Sequence, residues 1–327
     1  MKHGFRVCLC ILFILLHGPA AAQQAPEDLL RAVVNVRALV PASARTASIL
    51  GTEREGNGVV IDANGHVLTI GYLTLEAERI EITGPDERKM NASLVGYDHS
   101  SGFGLLRTAG PLNVTPMTLG RSAEIGSGDP VLVASFGGAR ATQGARVVIR
   151  REFAGSWEYL LEDAIFTVPP HAEFGGAALI DRDGRLVGLG SLLTPIEVPG
   201  LGAVPCNMFV PIDLLKPILS DLMATGRSKA QPRPWLGLSS EEAYGRVFVL
   251  RTTAGGPSDA AGLQPWDIIL TVAKNPVTGL ADFYRKVWAL GRAGTAIPLT
   301  VLRGIQIREI TVQSSDRDAF LQHRPVQ

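Results

Sequence analysis

The sequence predicts a mainly β chain in two parts, a large all-β unit followed by a small α+β unit. Short apolar runs alternate with Gly, Asn-Gly, Asp-Gly and Pro punctuation from about residue 32 to residue 212. A polar, proline-containing stretch at 224–233 then interrupts the pattern. Beyond it the strand signals restart around one clear helical stripe. The 327 residues are enough for one large or two ordinary domains with a buried core.

Taken in order, the runs Val33–Leu39, Gly58–Ile61, His66–Ile70, Arg79–Ile82, Pro130–Ser135, Ala145–Ile149, Ala164–Val168 and Arg185–Leu189 are predicted strands. Asn64-Gly65 and Asp183-Gly184 each sit between two such runs, which is the signal of a tight hairpin. Many short strands at this spacing argue for a sandwich or barrel. Pro26–Leu30 and Pro211–Met223 read instead as helices, the second with Leu214, Leu215, Ile218 and Leu222 on one face and a kink at Pro217. In the second unit the strands are Arg246–Leu250, Asp267–Val272, Ala296–Leu302 and Gln306–Val312. The helix there is Ala281–Leu290, with Phe283, Val287 and Leu290 on one stripe.

Composition narrows the function. With 46% apolar residues, 19% charged residues and zero formal net charge, the chain is globular and lacks the basic surplus of a nucleic-acid binder. Residues 1–22 read as a secretory signal: Lys2 and Arg6 form the basic region, Val7–Leu16 the apolar region, and Ala20-Ala21-Ala22 a small-residue cleavage site. Ten apolar residues fall short of the roughly 20 needed to span a bilayer, so no membrane span is expected. Removal of the signal leaves Cys206 as the one cysteine, without a disulfide partner and in apolar surroundings that suit a buried thiol. No Cys or His pair has metal-ligand spacing, and neither a metal nor a cofactor is expected.

Three stretches carry the chemistry, or its remains. They are Gly65-His66-Val67-Leu68-Thr69-Ile70-Gly71-Tyr72-Leu73-Thr74, then Val95-Gly96-Tyr97-Asp98-His99-Ser100-Ser101-Gly102-Phe103-Gly104-Leu105-Leu106, then Glu173-Phe174-Gly175-Gly176-Ala177-Ala178-Leu179-Ile180. In order and spacing they resemble the HtrA (DegP-like) family of trypsin-fold serine proteases. That family carries G-Y-I-L-T-N-N-H-V-V, V-G-x-D-x-x-x-D-L-A-L-L and G-N-S-G-G-P-L-V. The resemblance implies a trypsin-like double β-barrel. Laid on without gaps, it puts the family's histidine on Tyr72, its aspartate on Gly102 and its nucleophilic serine on Gly175, or on Phe174 with a slip of one residue. An unperturbed phenol titrates near ~10 and is a poor base at neutral pH. A glycine neither orients an imidazole nor attacks a carbonyl. The expectation is therefore a pseudoprotease, not an enzyme. A rebuilt site is the rival, drawing on Asp98, His99 and Ser100 or Ser101, or on His171 and Glu173 near the old serine position.

The second unit resembles a PDZ domain. The matching residues are Pro234-Trp235-Leu236-Gly237-Leu238, then Gly256-Pro257-Ser258-Asp259-Ala260-Ala261-Gly262-Leu263-Gln264-Pro265-Trp266-Asp267-Ile268-Ile269, then Asn275-Pro276-Val277-Thr278. Only Trp266, where glycine is usual, departs from the family form. PDZ domains add an extended C-terminal peptide to a sheet edge and hold its carboxylate on backbone N–H groups. The resemblance implies a carboxylate loop at Trp235, Leu236 and Gly237, a pairing strand starting at Leu238, and a pocket wall from Phe283 and Val287.

The expected organisation is a signal at 1–22, a protease-fold domain at 27–223, a linker at 224–233, a PDZ domain at 234–313 and a tail at 314–327. The expected function is an exported, periplasmic binder of polypeptide C-termini or unfolded exported proteins that does not cleave them, in envelope quality control or regulation. A serine endopeptidase with a displaced or misaligned site and a scaffold without peptide binding are the alternatives. HtrA trimers assemble through N-terminal aromatic residues, and Ala25–Val40 has none, so the oligomeric state stays open.

Overall fold

A computed structural model describes residues 27–198, 200 and 202–321; the expected signal lies outside the described residues. Eighteen strands form three sheets. The first six are β1 (Val33–Leu39), β2 (Glu53–Val60), β3 (His66–Ile70), β4 (Arg79–Thr83), β5 (Lys89–Tyr97) and β6 (Phe103–Thr108). They close a barrel in the order β1-β2-β3-β6-β5-β4. A second barrel, β10-β11-β12-β9-β8-β7, is built from β7 (Pro130–Ala134), β8 (Thr142–Gly155), β9 (Tyr159–Val168), β10 (Ala178–Ile180), β11 (Leu186–Val198) and β12 (Gly202–Pro211).

Alternation explains the inward faces. Along β1, Val34, Val36 and Ala38 are wholly buried while Asn35 and Arg37 are partly open. Asn64-Gly65 joins β2 to β3 with Val60 opposite Val67, and Asp183-Gly184 joins β10 to β11. Asp62 accepts from the His66 backbone and pairs with its Nδ1 at 2.6 Å, so His66 braces the first turn and is more buried than a surface strand residue. Cys206 is buried in the second barrel.

The third sheet runs β13-β14-β15-β17-β18, from β13 (Leu238–Ala243), β14 (Arg246–Thr252), β15 (Ile268–Val272), β17 (Ala296–Arg303) and β18 (Gln306–Gln313), with β16 (Asn275–Pro276) paired to β15. The chain also forms short helices α1 (Glu27–Leu30), α2 (Ala47–Leu50), α3 (Leu219–Thr225) and α4 (Pro257–Ala260), the longer α5 (Leu280–Ala289), and α6 (Arg317–Phe320). Helix α5 buries Leu280, Phe283, Tyr284 and Val287 against the third sheet. The chain after β18 returns to Trp235, pairing Ser315 with it and stacking Phe320 on its ring.

Three local expectations are revised. The helix read over Pro211–Met223 is a 3₁₀ turn at Ile212–Leu214 and the separate α3, because Pro217 cannot donate the N–H that would join them. Leu290 lies past the end of α5 and is 37% exposed, outside the stripe of Phe283 and Val287. Strands β8 and β9 run far beyond Ala145–Ile149 and Ala164–Val168, forming a long hairpin in which Gly155 pairs with Tyr159. Its tip, Ser156-Trp157-Glu158, reaches the third sheet.

Candidate functional site

Two places in the fold are candidate sites, and the first is the junction of the barrels. Tyr72 sits on a 3₁₀ turn after β3 and its hydroxyl crosses to the second barrel, donating to the Ser191 carbonyl at 3.1 Å. Burial pushes this hydroxyl up to about 12, so it stays protonated at neutral pH. Gly175 faces it: a Cβ added there would lie 2.9 Å from the Tyr72 hydroxyl. Tyr72 thus fills the space beside residue 175 that a hydroxyl-bearing side chain would enter.

The loop carrying Phe174 and Gly175 is tied to β2. Asn57 donates its backbone N–H to the Gly175 carbonyl at 2.7 Å and its side-chain amide to the carbonyls of Glu173 and Gly175. The same side chain accepts from the Phe136 N–H at 2.8 Å. Gly176 makes the closure possible: its φ is +74°, and an added Cβ would sit 1.9 Å from the Asn57 carbonyl oxygen. At the third position, a Cβ on Gly102 would come within 3.3 Å of the Tyr159 hydroxyl, which donates to the Ser101 carbonyl at 2.6 Å. Tyr72 and Gly175 are therefore neighbours, and an aromatic ring stands beside each glycine. The Phe174 carbonyl accepts from the Ala177 N–H at 3.0 Å.

The other histidines go separate ways. Asp98 accepts from the Ser101 hydroxyl at 2.6 Å, while His99 Nε2 pairs with Asp318 at 2.7 Å, so Asp98, His99 and Ser101 are not wired as a relay. His171 Nε2 lies 3.0 Å from Ser135 Oγ, a contact with no local signal because 36 positions separate the two. Ser135 is buried, and its hydroxyl also reaches the Ala141 carbonyl at 3.1 Å. Burial lowers His171 below the usual imidazole range against the pull of Glu173, which keeps the ring neutral at pH 7.

The second place is the turn leading into β13. The N–H groups of Leu236, Gly237 and Leu238 converge on one carboxylate, that of Glu158 from the β8–β9 tip, at 2.8, 2.8 and 3.1 Å. Leu236, Leu238, Phe283 and Val287 lie within one buried apolar cluster below. The Trp235 ring packs 3.1 Å from where a Gly237 Cβ would be, which holds that residue at φ +71°. Arg233 is turned away and stacks on Trp288 at 4.4 Å. Among the described residues no group of three or more His, Cys, Asp or Glu is placed to hold a metal. No helix among them is long and apolar enough to cross a membrane.

Residues 56–189 match the model of the trypsin-like peptidase domain and residues 234–313 that of the PDZ domain. In sequence the chain is similar to HtrA-type serine proteases. It is 27% identical over 276 residues to the periplasmic pH-dependent serine endoprotease DegQ of Escherichia coli K12, covering 79% of this chain and 58% of DegQ. It is 26% identical to the periplasmic serine endoprotease DegP of the same organism, over 76% of this chain and 54% of DegP. Against the chloroplastic protease Do-like 1 of Arabidopsis thaliana the figures are 28%, 79% and 62%. The chain thus spans little more than half the length of these curated relatives. Among solved structures, the HtrA-type protease AlgW with a decapeptide superposes with a TM-score of 0.53 at 24% identity, over 89% of this chain and 98% of AlgW. The serine endoprotease from Yersinia pestis gives 0.51 at 23%, over 88% of this chain and 95% of that one. Both support the shared fold.

The relatives correct one expectation. DegQ and DegP are named serine endoproteases, so homology assigns the peptidase class to this chain's relatives, and the reading of the chain as a non-enzyme is withdrawn.

Proposed function

We propose that the chain is an HtrA-type protein of the bacterial envelope that engages exported or unfolded polypeptides in protein quality control, taking their C-terminal carboxylates in the Trp235–Leu238 loop. The observation that carries this reading is the convergence of three loop N–H groups on a single carboxylate. In this scheme 27–223 is the peptidase-fold unit, 224–233 the linker and 234–313 the peptide-binding unit. Leu236, Leu238, Phe283 and Val287 supply the apolar surface for the terminal side chain, and Gly237 gives the loop its turn. The periplasmic placement draws on the names of DegQ and DegP and on the basic-then-apolar N-terminal segment. Titrating the full chain with a peptide ending in a free carboxylate and with its C-terminal amide tests the reading. The acid is expected to bind about tenfold or more tightly than the amide, since charge-assisted bonds to three donors are lost. Equal binding of both forms contradicts it, and no binding of either favours the scaffold.

Serine endopeptidase activity from a nucleophile away from position 175 is the second reading. It is supported by the relatives' names and by the Ser135–His171 contact. Here Ser135 must pass its proton to His171, which the neutral ring can accept, instead of donating to Ala141. A serine-directed fluorophosphonate and unfolded casein separate the cases. Label that disappears in Ser135→Ala assigns Ser135. Label that survives there and disappears in a Ser100→Ala/Ser101→Ala double variant assigns that pair. Intact casein with no label removes the reading.

A further inference from the structure

The carboxylate loop holds a carboxylate that belongs to the chain itself, and the whole tip of the β8–β9 hairpin is seated as a ligand would be. Glu158 supplies the carboxylate, as described. Two residues back along the hairpin, the Ser156 carbonyl accepts from Ser240 N–H at 2.9 Å. Ser240 lies on β13, whose outer edge no other strand of its sheet covers, so this bond is the start of strand addition. Leu160 of β9 joins the same buried cluster as Leu236, Leu238, Phe283 and Val287. The tip therefore offers a carboxylate, a main-chain acceptor and an apolar side chain, the three things a peptide C-terminus offers such a loop.

Further contacts fix it there. The Tyr284 hydroxyl donates to the Gly155 carbonyl at 2.7 Å and accepts from Glu158 N–H at 3.2 Å. Arg317 donates to the Trp157 carbonyl at 3.1 Å, and Arg285 pairs with Glu152 and Glu162 on the hairpin's two strands. Glu158 adopts φ +56°, a left-handed conformation that is unfavourable for a non-glycine residue. At the end of a three-residue hairpin loop glycine is the usual solution. A glutamate held there makes sense when its side chain is the part in use.

We propose that the β8–β9 tip is an internal occupant of the peptide groove, and that a polypeptide with a free C-terminal carboxylate enters by displacing Glu158 and freeing the hairpin. This rests on the peptide-binding reading and adds its regulation: Glu158 closes the groove until a competing carboxylate takes its three donors. Beyond the tip, an open groove bounded by Ala154, Ser156, Ser240, Glu242 and Leu280 continues along β13 and gives an incoming chain its first foothold.

The test uses the full chain, a fluorescent peptide with an aliphatic last residue and a free carboxylate, and the same peptide amidated. Glu158→Gly removes the carboxylate at a backbone conformation glycine accepts freely, and Glu158→Gln places an amide N–H₂ against a loop donor. If the closed form holds the loop most of the time, both variants bind the acid about tenfold or more tightly than the parent, because the competing occupant is gone. Tyr284→Phe shifts affinity the same way by a smaller factor. Amide exchange at Leu236–Leu238 is followed in parallel and is expected to be slow in the parent and faster in Glu158→Gly. Equal affinity of parent and both variants for the acid overturns displacement while leaving peptide binding standing. If no protein binds the acid, peptide binding itself fails and displacement with it. Unchanged exchange in Glu158→Gly overturns the contact whatever the peptide does.

Discussion

The barrel junction and the loop before β13 are built on opposite terms. At the junction the contacts are made by side chains, with Tyr72 beside Gly175 and Tyr159 beside Gly102. Around them aromatic hydroxyls take up the space and satisfy carbonyls, Tyr72 on Ser191 and Tyr159 on Ser101. At the loop the work falls to backbone N–H groups, which no substitution short of proline removes, and three of them hold a carboxylate. Side-chain chemistry can be exchanged one residue at a time while the frame persists. Main-chain recognition lasts as long as the turn does.

The sharpest way to break this contrast is at the closure that keeps the junction's frame. Gly176→Ala puts a Cβ 1.9 Å from the Asn57 carbonyl at a left-handed φ, and is expected to cost about 3 kcal/mol or more in chemical denaturation. A loss below 1 kcal/mol would mean that the loop is not pinned to β2. Next is Gly175→Ser, which crowds the Tyr72 hydroxyl and is expected to cost about 1–3 kcal/mol. Adding Tyr72→Ala should recover part of that cost, and strict additivity of the two would show that they do not share the space.

The loop is sharpened by pH. Burial, outweighing the three amide donors and the Arg317 charge, pushes the Glu158 carboxyl up to about 7 when docked. Released to water it falls back towards ~4.3. The docked group binds its proton more tightly, so docking is strongest below about pH 4 and weakens as pH rises through 7. The groups facing it are the Leu236, Gly237 and Leu238 amides, the Tyr284 hydroxyl and Arg317. Apparent affinity for an acid-ended peptide should therefore rise between pH 5 and pH 8 in the parent and stay flat in Glu158→Gln; a flat parent profile counts against proton-linked docking. The smallest expected effect is Tyr72→Phe, which loses one hydrogen bond to Ser191, about 1 kcal/mol in the same denaturation experiment.

How much of this was legible beforehand follows from the range of each signal. The Asn64-Gly65 and Asp183-Gly184 turns, the limits of β1 and β3, and the buried stripe of Phe283 and Val287 are written within a few residues and were readable as such. The length of β8 was hidden because Arg150, Arg151 and Glu152 interrupt its apolar run; pairing with β9 and the ion pairs of Arg150 with Asp163 and Arg285 with Glu152 carry the strand through them. The neighbourhood of Tyr72 and Gly175 followed from the family resemblance, although nothing local said that the phenol would reach Ser191. Glu158 could not be found at all. It meets the loop across 78 to 80 positions, at a φ that composition does not reveal, and a glutamate in a hairpin reads as an ordinary solvated residue.

The most direct measurement is hydrogen exchange at the Leu236, Gly237 and Leu238 amides in the full chain, with and without an acid-ended peptide. Strong protection is expected in the free parent chain, loss of it in Glu158→Gly, and its return when that variant takes up the peptide. Amides that exchange freely in the parent chain, or that the peptide never protects in the variant, would contradict that expectation.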